Sequence, residues 1–408
     1  MSASESLAAG GPERAIHREP LQAQPAREQV ARTALSVALY MHDLSGGGVE
    51  RQSLILANEL RAQGVDVTLV LHQVRGPLLA NLPPDMHVVD LKSQRTLQDI
   101  PRLAAFLRRA RPDILLANLD HNNIAALLAK ALAMSRTRVI ICQHNPISPA
   151  FTVFESWTYK FIPLAYRLLS VLASRAVAVS SGVAAELREL AGIPSRKVFT
   201  IHNPVVGPDF QERSQRHVEH PWFDQPDHPV FITAGRMVPQ KDHETLIRGF
   251  ALHRQRCDSR LIILGAGPLQ DELEALCREL GVTDAVGFLG YQPDALPFFR
   301  RADAFVLSSQ CEGFGNVLVE AMACGTPIIA ADCYHGPAEI LGDGRYGLLV
   351  PTRDPAALAL AMDQIPTLRT RFPSETLRAR ADEFSYAVCA ARYRALFKTL
   401  IDEQAVAA

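Results

Sequence analysis

Two glutamates, Glu312 and Glu320, flank the stretch of this sequence best suited to chemistry on a polar ligand, Ser309-Gln-Cys-Glu-Gly-Phe-Gly-Asn-Val-Leu-Val-Glu320. The apolar run 304–308 reads as a strand ending at this loop. A helix follows over 317–324, stopped by Gly325 as a C-terminal cap, and Pro327 starts the next strand. Glu312 then falls in the loop and Glu320 one turn inside the helix. Two carboxylates so placed can accept hydrogen bonds from hydroxyls at two ends of one ligand. The amides around Gly315, Asn316, Val317 and Leu318 form a helix N-terminus suited to phosphate. A second strand end, Ala234-Gly-Arg-Met-Val-Pro-Gln-Lys-Asp242, brings Arg236 and Lys241, a planar fork and a point charge that together could neutralise a diphosphate. A hydroxyl-rich group, a diphosphate and a ribose match this set. The plainer alternatives are a pair of solvated cations and, for Glu320, a favourable charge near the start of a helix.

Two other loops follow strands. Ser45-Gly-Gly-Gly-Val-Glu50 includes Gly47 and Gly48, which let the backbone approach a ligand and leave amides free for an anion, or else form a flexible turn. Leu264-Gly-Ala-Gly-Pro268, with Gly265, opens like a dinucleotide fingerprint, but Gln270 stands where the last glycine belongs. No G-x-x-x-x-G-K-[ST] run occurs, which excludes a P-loop NTPase.

These loops need a scaffold that places them together. Apolar strand-like runs at 35–40, 67–71, 88–91, 114–117, 139–143 and 176–179 alternate with helical patterns, and the rhythm restarts at 230–234, 260–264, 285–289, 304–308 and 326–330. Alternation of this kind implies parallel sheets in an α/β layer architecture, with ligands collected at the carboxyl ends of the strands. The 408 residues exceed what one core usually organises. The expected division is a disordered leader over 1–33, a Rossmann-like domain over 34–206, a linker over 207–229, a second Rossmann-like domain over 230–385, and a final helix within 386–408. A formal net charge of −1 without long runs of either sign leaves no electrostatic footprint for nucleic acid. The seven cysteines are scattered, without C-x-x-C spacing, and most read as small buried hydrophobes, which fits a reducing compartment. With no signal-peptide pattern in the leader, the expected location is cytoplasmic.

The run 311–327 resembles the E-x7-E signature of the family-4 retaining glycosyltransferases, which have the GT-B fold. Gly235-Arg-x4-Lys241, Gly265-Ala-Gly-Pro268, Phe288-Leu-Gly290 and Gly344-Arg-Tyr-Gly-Leu-Leu-Val-Pro351 agree with it in order and spacing. The resemblance implies two Rossmann-like domains facing across a cleft, with the C-terminal helix crossing back to the N-terminal domain. It assigns Arg236 and Lys241 to the donor diphosphate, Glu312 to the transferred sugar and Glu320 to the ribose. The backbone near Leu289 would meet the nucleobase, and Gly47 and Gly48 would line the cleft from the first domain. A catalytic histidine is expected at a strand end of the first domain; His144 is the candidate, with His121 second. Glu339, within a segment like those of bacterial surface-polysaccharide transferases, would help near the sugar or act as an acid at a helix start.

The implied reaction is retaining transfer of a hexose-type sugar from a nucleotide diphosphate sugar to a lipid-linked or polysaccharide acceptor, as in lipopolysaccharide synthesis. A UDP-sugar is favoured, with GDP-mannose the alternative. No D-x-D pair is present, so neither a metal nor another cofactor is expected. A nonenzymatic nucleotide-sugar-binding protein and a sugar-nucleotide epimerase of similar fold are the rival readings. The segment 151–174 reads as a buried helix pair with polar edges, the alternative being an interfacial helix in peripheral contact with the inner membrane.

Overall fold

The computed structural model describes residues 18–20, 34–148, 161–225 and 227–407. Of the expected leader, only Arg18–Pro20 is described. It is a short strand, β1, which the composition of this stretch did not announce. Contacts group the chain into two units, 1–139 and 140–408.

In the first unit β1 is followed by β2 (Ser36–Met41), β3 (Asp66–Leu71), β4 (His87–Asp90) and β5 (Ile114–Asn118), all parallel, in the order β1-β4-β3-β2-β5. Every residue of β2 and β5 is buried, which is why both read as continuous apolar runs rather than alternating ones. Connections leave β2 towards β3 on one side, while β5 pairs on the other. The strand order therefore reverses between β2 and β5, which makes their carboxyl ends a topological switch point.

Strand β6 (Arg138–Gln143) spans the division. In the second unit it pairs with β7 (Arg175–Ala178), and β7 with β8 (Val198–Thr200). A six-stranded parallel sheet follows: β9 (Val230–Ala234), β10 (Arg260–Leu264), β11 (Val286–Gly290), β12 (Ala304–Leu307), β13 (Ile328–Ala331) and β14 (Leu348–Val350), in the order β11-β10-β9-β12-β13-β14. Its switch point lies between β9 and β12, whose loops carry Arg236, Lys241 and Glu312. The residues read as a linker hold a short helix, Phe210–Ser214, and a 3-10 turn, Pro221–Asp224. Both are too short to leave a periodic trace. Arg213 pins the helix by a two-pronged pair to Asp294, each bond 3.0 Å.

The last helix, Tyr386–Ala407, crosses back onto β6 to β8, as the resemblance implies. The Tyr393 hydroxyl lies 3.4 Å from Cys142 Sγ, Cys389 Sγ donates to the Asn203 carbonyl, and Arg175 pairs with Glu403. Among the described residues no helix is long and apolar enough to cross a membrane. Residues 149–160, which include the first ten of the segment read as a helix pair, lie outside the described residues. Beyond them a helix runs over Ile162–Leu169.

Candidate active site

At the second unit's switch point the loop after β9 and the loop after β12 are stitched together by backbone and side chain. The Gln310 amide donates to the Gln240 carbonyl at 2.8 Å, Gln240 Nε2 to the Cys311 carbonyl at 2.9 Å, and Ser308 Oγ to the Lys241 carbonyl at 2.8 Å. This brings Lys241 Nζ to 2.6 Å from Glu312 Oε1, an oxygen that also accepts from Ser309 Oγ at 2.7 Å. The Glu312 side chain is only 9% exposed and that of Lys241 21%, so the pair is largely withdrawn from water while Arg236 beside it stays exposed. A cation poised between a buried carboxylate and an open loop can exchange that partner for an incoming anion. Glu312 is then left with its serine and lone pairs for a hydroxyl. Glu320 is half-buried in the helix Asn316–Ala323.

Glycines allow the loops to cross. A Cβ at Gly265, where φ is +132°, would lie 2.0 Å from the Gly235 carbonyl oxygen. The Gly265 amide donates to Gly290, and the Met237 amide to Ala266. The incomplete dinucleotide fingerprint is thus explained by packing: it lets the ends of β9, β10 and β11 interlock. The Leu289 carbonyl already accepts from Gln292 Nε2 at 2.7 Å. At the helix start, Gly315 adopts φ +104°, the Leu318 amide is spent on the Gly315 carbonyl, and the Leu318 side chain belongs to the core. Asn316 Oδ1 accepts from Asn203 Nδ2 at 2.9 Å.

His144 follows β6 and meets the same loop through its backbone. A Cβ at Gly313 would stand 1.8 Å from the His144 carbonyl oxygen. The Gly313 carbonyl in turn accepts a 2.7 Å bond from Ser180 Oγ, which caps the helix Ser181–Glu189 by accepting from the Val183 amide. Burial pushes the His144 imidazole down to about 4, so near neutral pH it is uncharged and acts as a hydrogen-bonding ring. Glu339 lies 2.7 Å from His202 Nε2 and accepts from the Ser181 amide and hydroxyl at 2.7 and 2.8 Å. Burial opposes its charge, but the His202 and Ser181 bonds outweigh that and hold the carboxyl below its usual range. Its lone pairs tie β7 and β8 to the 336–340 segment. Sequence reasoning missed Glu186, which accepts from the Ile147 amide at 2.6 Å and the Ser148 amide at 3.2 Å, with His335 Nε2 3.1 Å from its other oxygen. It buttresses the loop that begins at His144, and only the folded chain brings these three positions together.

In the first unit, Asp43 accepts from the Ser45 amide and from Arg75 Nε, clamping the glycine loop to residues 75–76. A Cβ at Gly47 would meet the Glu50 carboxylate at 2.3 Å, so Glu50 folds back over the start of the helix Gly48–Ala62, whereas a Cβ at Gly48 would meet nothing within 4 Å. His121 opens the helix Asp120–Ala133 after β5. Its ring lies 5.8 Å from that of His42, which lies 4.3 Å from that of His72. Neither His42 nor His72 stood out in the sequence. Their signal is the parallel register Met41↔Leu71, which sets the two following residues side by side. Among the described residues, no three His, Cys, Asp or Glu side chains are arranged to hold a metal ion. The seven cysteines are free, all but Cys257 buried.

Comparison with known proteins covers both halves of the chain. The model described as Glycosyltransferase Family 4 matches residues 46–206, and that described as Glycosyl transferases group 1 matches 218–384. The N-acetylgalactosamine-N,N'-diacetylbacillosaminyl-diphospho-undecaprenol 4-alpha-N-acetylgalactosaminyltransferase of Campylobacter jejuni is 30% identical over 57% of this chain and 61% of its own. The lipopolysaccharide core biosynthesis glycosyltransferase LpsE of Rhizobium meliloti is 29% identical over 85% of this chain and 94% of its own. The chain thus spans about three fifths of the first relative and nearly all of the second. Among solved structures, Anabaena HepE in complex with UDP superposes with a TM-score of 0.72 at 21% identity, covering 90% of this chain and 100% of that one. At that identity the likeness speaks for the fold, which is GT-B.

Proposed function

The chain belongs to the family-4 glycosyltransferases, and from that premise we propose that it moves a hexose-type sugar from a UDP-sugar to a lipid-linked or polysaccharide acceptor, with retention and without a metal. The observation that carries this reading is the Lys241–Glu312 pair at the switch point, with exposed Arg236 alongside. Lys241 and Arg236 take the donor diphosphate, releasing Glu312 to hold the sugar, and Glu320 takes the ribose. As the C1–O bond to phosphate breaks, negative charge grows on the diphosphate, and the two cations stabilise it in a partly desolvated setting. The acceptor oxygen bonds to C1 on the face the leaving group departs from. Its proton passes to the diphosphate, so no protein nucleophile is required. His144, uncharged, contributes a hydrogen bond to the sugar.

The choice of donor and acceptor leans on the relatives: one acts on a diphospho-undecaprenol acceptor, another serves lipopolysaccharide core synthesis, and the HepE structure holds UDP. Work at the cytoplasmic face of the inner membrane suits the exposed stripe Phe161, Leu164, Leu168 and Val171, spaced to share one side of the helix Ile162–Leu169 and its extension. A thermal-shift panel with UDP, GDP, ADP and NAD, each with and without EDTA, tests the donor half. A ligand at about a hundred times its Kd stabilises the folded state by about 2.7 kcal/mol. A shift with UDP that EDTA leaves unchanged is expected. A shift that EDTA abolishes overturns the metal-free reading, and no shift with any nucleotide overturns the donor site. The anomeric configuration of the product, read by NMR, tests retention.

A further inference from the structure

The first unit repeats the topology of the second at its own switch point, yet fills it with different chemistry. Tyr40, His42 and His72 share one face of β2 and β3, because alternate residues point the same way and the register sets Tyr40 beside Val70 and Met41 beside Leu71. The helix Thr96–Ala110 packs on that face and presents Asp99, which is 0% exposed. Asp99 Oδ2 accepts from the Tyr40 hydroxyl at 2.5 Å and lies 2.8 Å from His72 Nδ1, while its other oxygen has no hydrogen-bond partner among the described residues. With the carboxylate accepting, His72 carries its proton on Nδ1. The His72 side chain is 3% exposed, but that of His42, tilted against it, is 33% exposed, and His121 closes the far side in the open.

Burying a carboxylate beside an imidazole is costly, even with the buried Tyr40 hydroxyl as a donor. Its position at the carboxyl ends of adjacent strands is where this architecture holds ligands. The charge balance selects the ligand class. Arg75 is engaged by Asp43, and Glu50 covers the nearby helix start. Burial and the neighbouring His72 push the His42 ring down, so it is neutral near pH 7. Neutral imidazoles suit hydroxyl groups better than phosphates.

We propose that His42 and His121 form a sugar-hydroxyl subsite, the acceptor end of the transfer reaction proposed above, on which this assignment rests. His42 takes the hydrogen bond of an acceptor hydroxyl. His72, Asp99 and Tyr40 are positioning residues that fix the His42 ring from below.

The test uses the full-length chain with 15N-labelled histidine rings, titrated with the methyl glycosides of glucose, galactose, mannose and N-acetylgalactosamine. Resonances are assigned from H42Q and H121Q. Saturable shifts of the His42 and His121 rings are expected with at least one glycoside. Loss of one such hydrogen bond should weaken that binding about tenfold in H42Q. Asp99→Asn should weaken it as well and convert His72 from a single tautomer to a mixture, a signature that a purely structural role would not couple to sugar binding. Inorganic pyrophosphate is the counter-probe. The proposal is overturned if no glycoside moves these rings, if H42Q binds as the wild type does, or if pyrophosphate alone shifts them. UDP thermal shifts run in parallel keep the two ideas apart. Glycoside shifts without UDP binding would sink the donor reading and leave the subsite, and UDP binding with silent histidines would do the reverse.

Discussion

The two switch points of this molecule have the same strand logic and opposite electrostatics. At the ends of β9 and β12, a lysine and a glutamate hold each other at 2.6 Å with an arginine exposed beside them. At the ends of β2 and β5, imidazoles crowd around one buried aspartate and Arg75 is already paired with Asp43. Parallel topology supplies the location in both cases, because it leaves strand-end loops side by side, but it does not choose the ligand. Side-chain charge does. A charged site matches the diphosphate of the proposed donor, and a neutral one matches the hydroxyls of the proposed acceptor.

The comparison breaks most decisively at Glu312. If the Lys241–Glu312 pair is a poised donor site, Glu312→Gln should slow transfer by about 10³-fold while the Kd for UDP stays within about threefold, because the lost carboxylate meets the sugar only. Calorimetry with UDP alongside turnover measures both. Parallel loss of binding and rate would recast Glu312 as a structural brace for Lys241.

Acid tests burial in the second unit next. His243, which follows Lys241 and Asp242 and is buried in the second unit, is pushed down to about 4, chiefly by burial and then by Lys241. In the unfolded chain it titrates near 6.5, so between those values the unfolded state binds the extra proton. Its contribution to stability is complete above 6.5 and is lost as the pH falls through 4. The gap corresponds to about 3 kcal/mol. Burial also lowers His144 and His253, so the wild-type Tm should fall steeply from pH 6.5 to 4, and His243→Gln should flatten part of that slope. An unchanged slope would mean that His243 is not held neutral.

A pair of glycine substitutions sharpens the contrast at the backbone. Gly313→Ala drives a methyl to 1.8 Å from the His144 carbonyl and should cost about 2–3 kcal/mol, with transfer falling alongside. Gly48→Ala, with open space around its Cβ, should leave stability within about 0.5 kcal/mol and raise only the KM of whichever substrate the loop approaches. Equal destabilisation by both would show that the glycine loop of the first unit is as tightly built as its counterpart.

The second switch point was legible in the sequence because its parts are nearly contiguous. Arg236 and Lys241 share one loop, Glu312 to Glu320 another, and the strand before each is an unbroken apolar run. The strand rhythm was legible for the same reason: fully buried parallel strands need apolar residues at every position. Short edge strands such as β8 and β14, three residues each, carry too little pattern to be seen. The histidine cluster was hidden more deeply. Tyr40, His72, Asp99 and His121 come from separate elements, and only strand register and helix packing turn them into neighbours. The fragment Gly265-Ala-Gly267 shows the converse, a motif readable as ligand-binding whose glycines the fold uses to let loops cross.

The smallest expected difference lies in two serines, one at each region. Ser180 Oγ is buried, donates to the Gly313 carbonyl and caps a helix, so Ser180→Ala removes the cap and leaves that carbonyl without its donor. A cost of about 1–2 kcal/mol follows, from cap loss and an unmade buried bond together. Ser45 is exposed, and its hydroxyl and amide both reach Asp43, which keeps its Arg75 bond when the hydroxyl goes. Ser45→Ala should therefore cost no more than about 0.5 kcal/mol. Urea unfolding of both variants measures the gap, provided the slope m is unchanged. A large cost at Ser45 with none at Ser180 would reverse the ranking and place the more rigid strand-end architecture in the first unit.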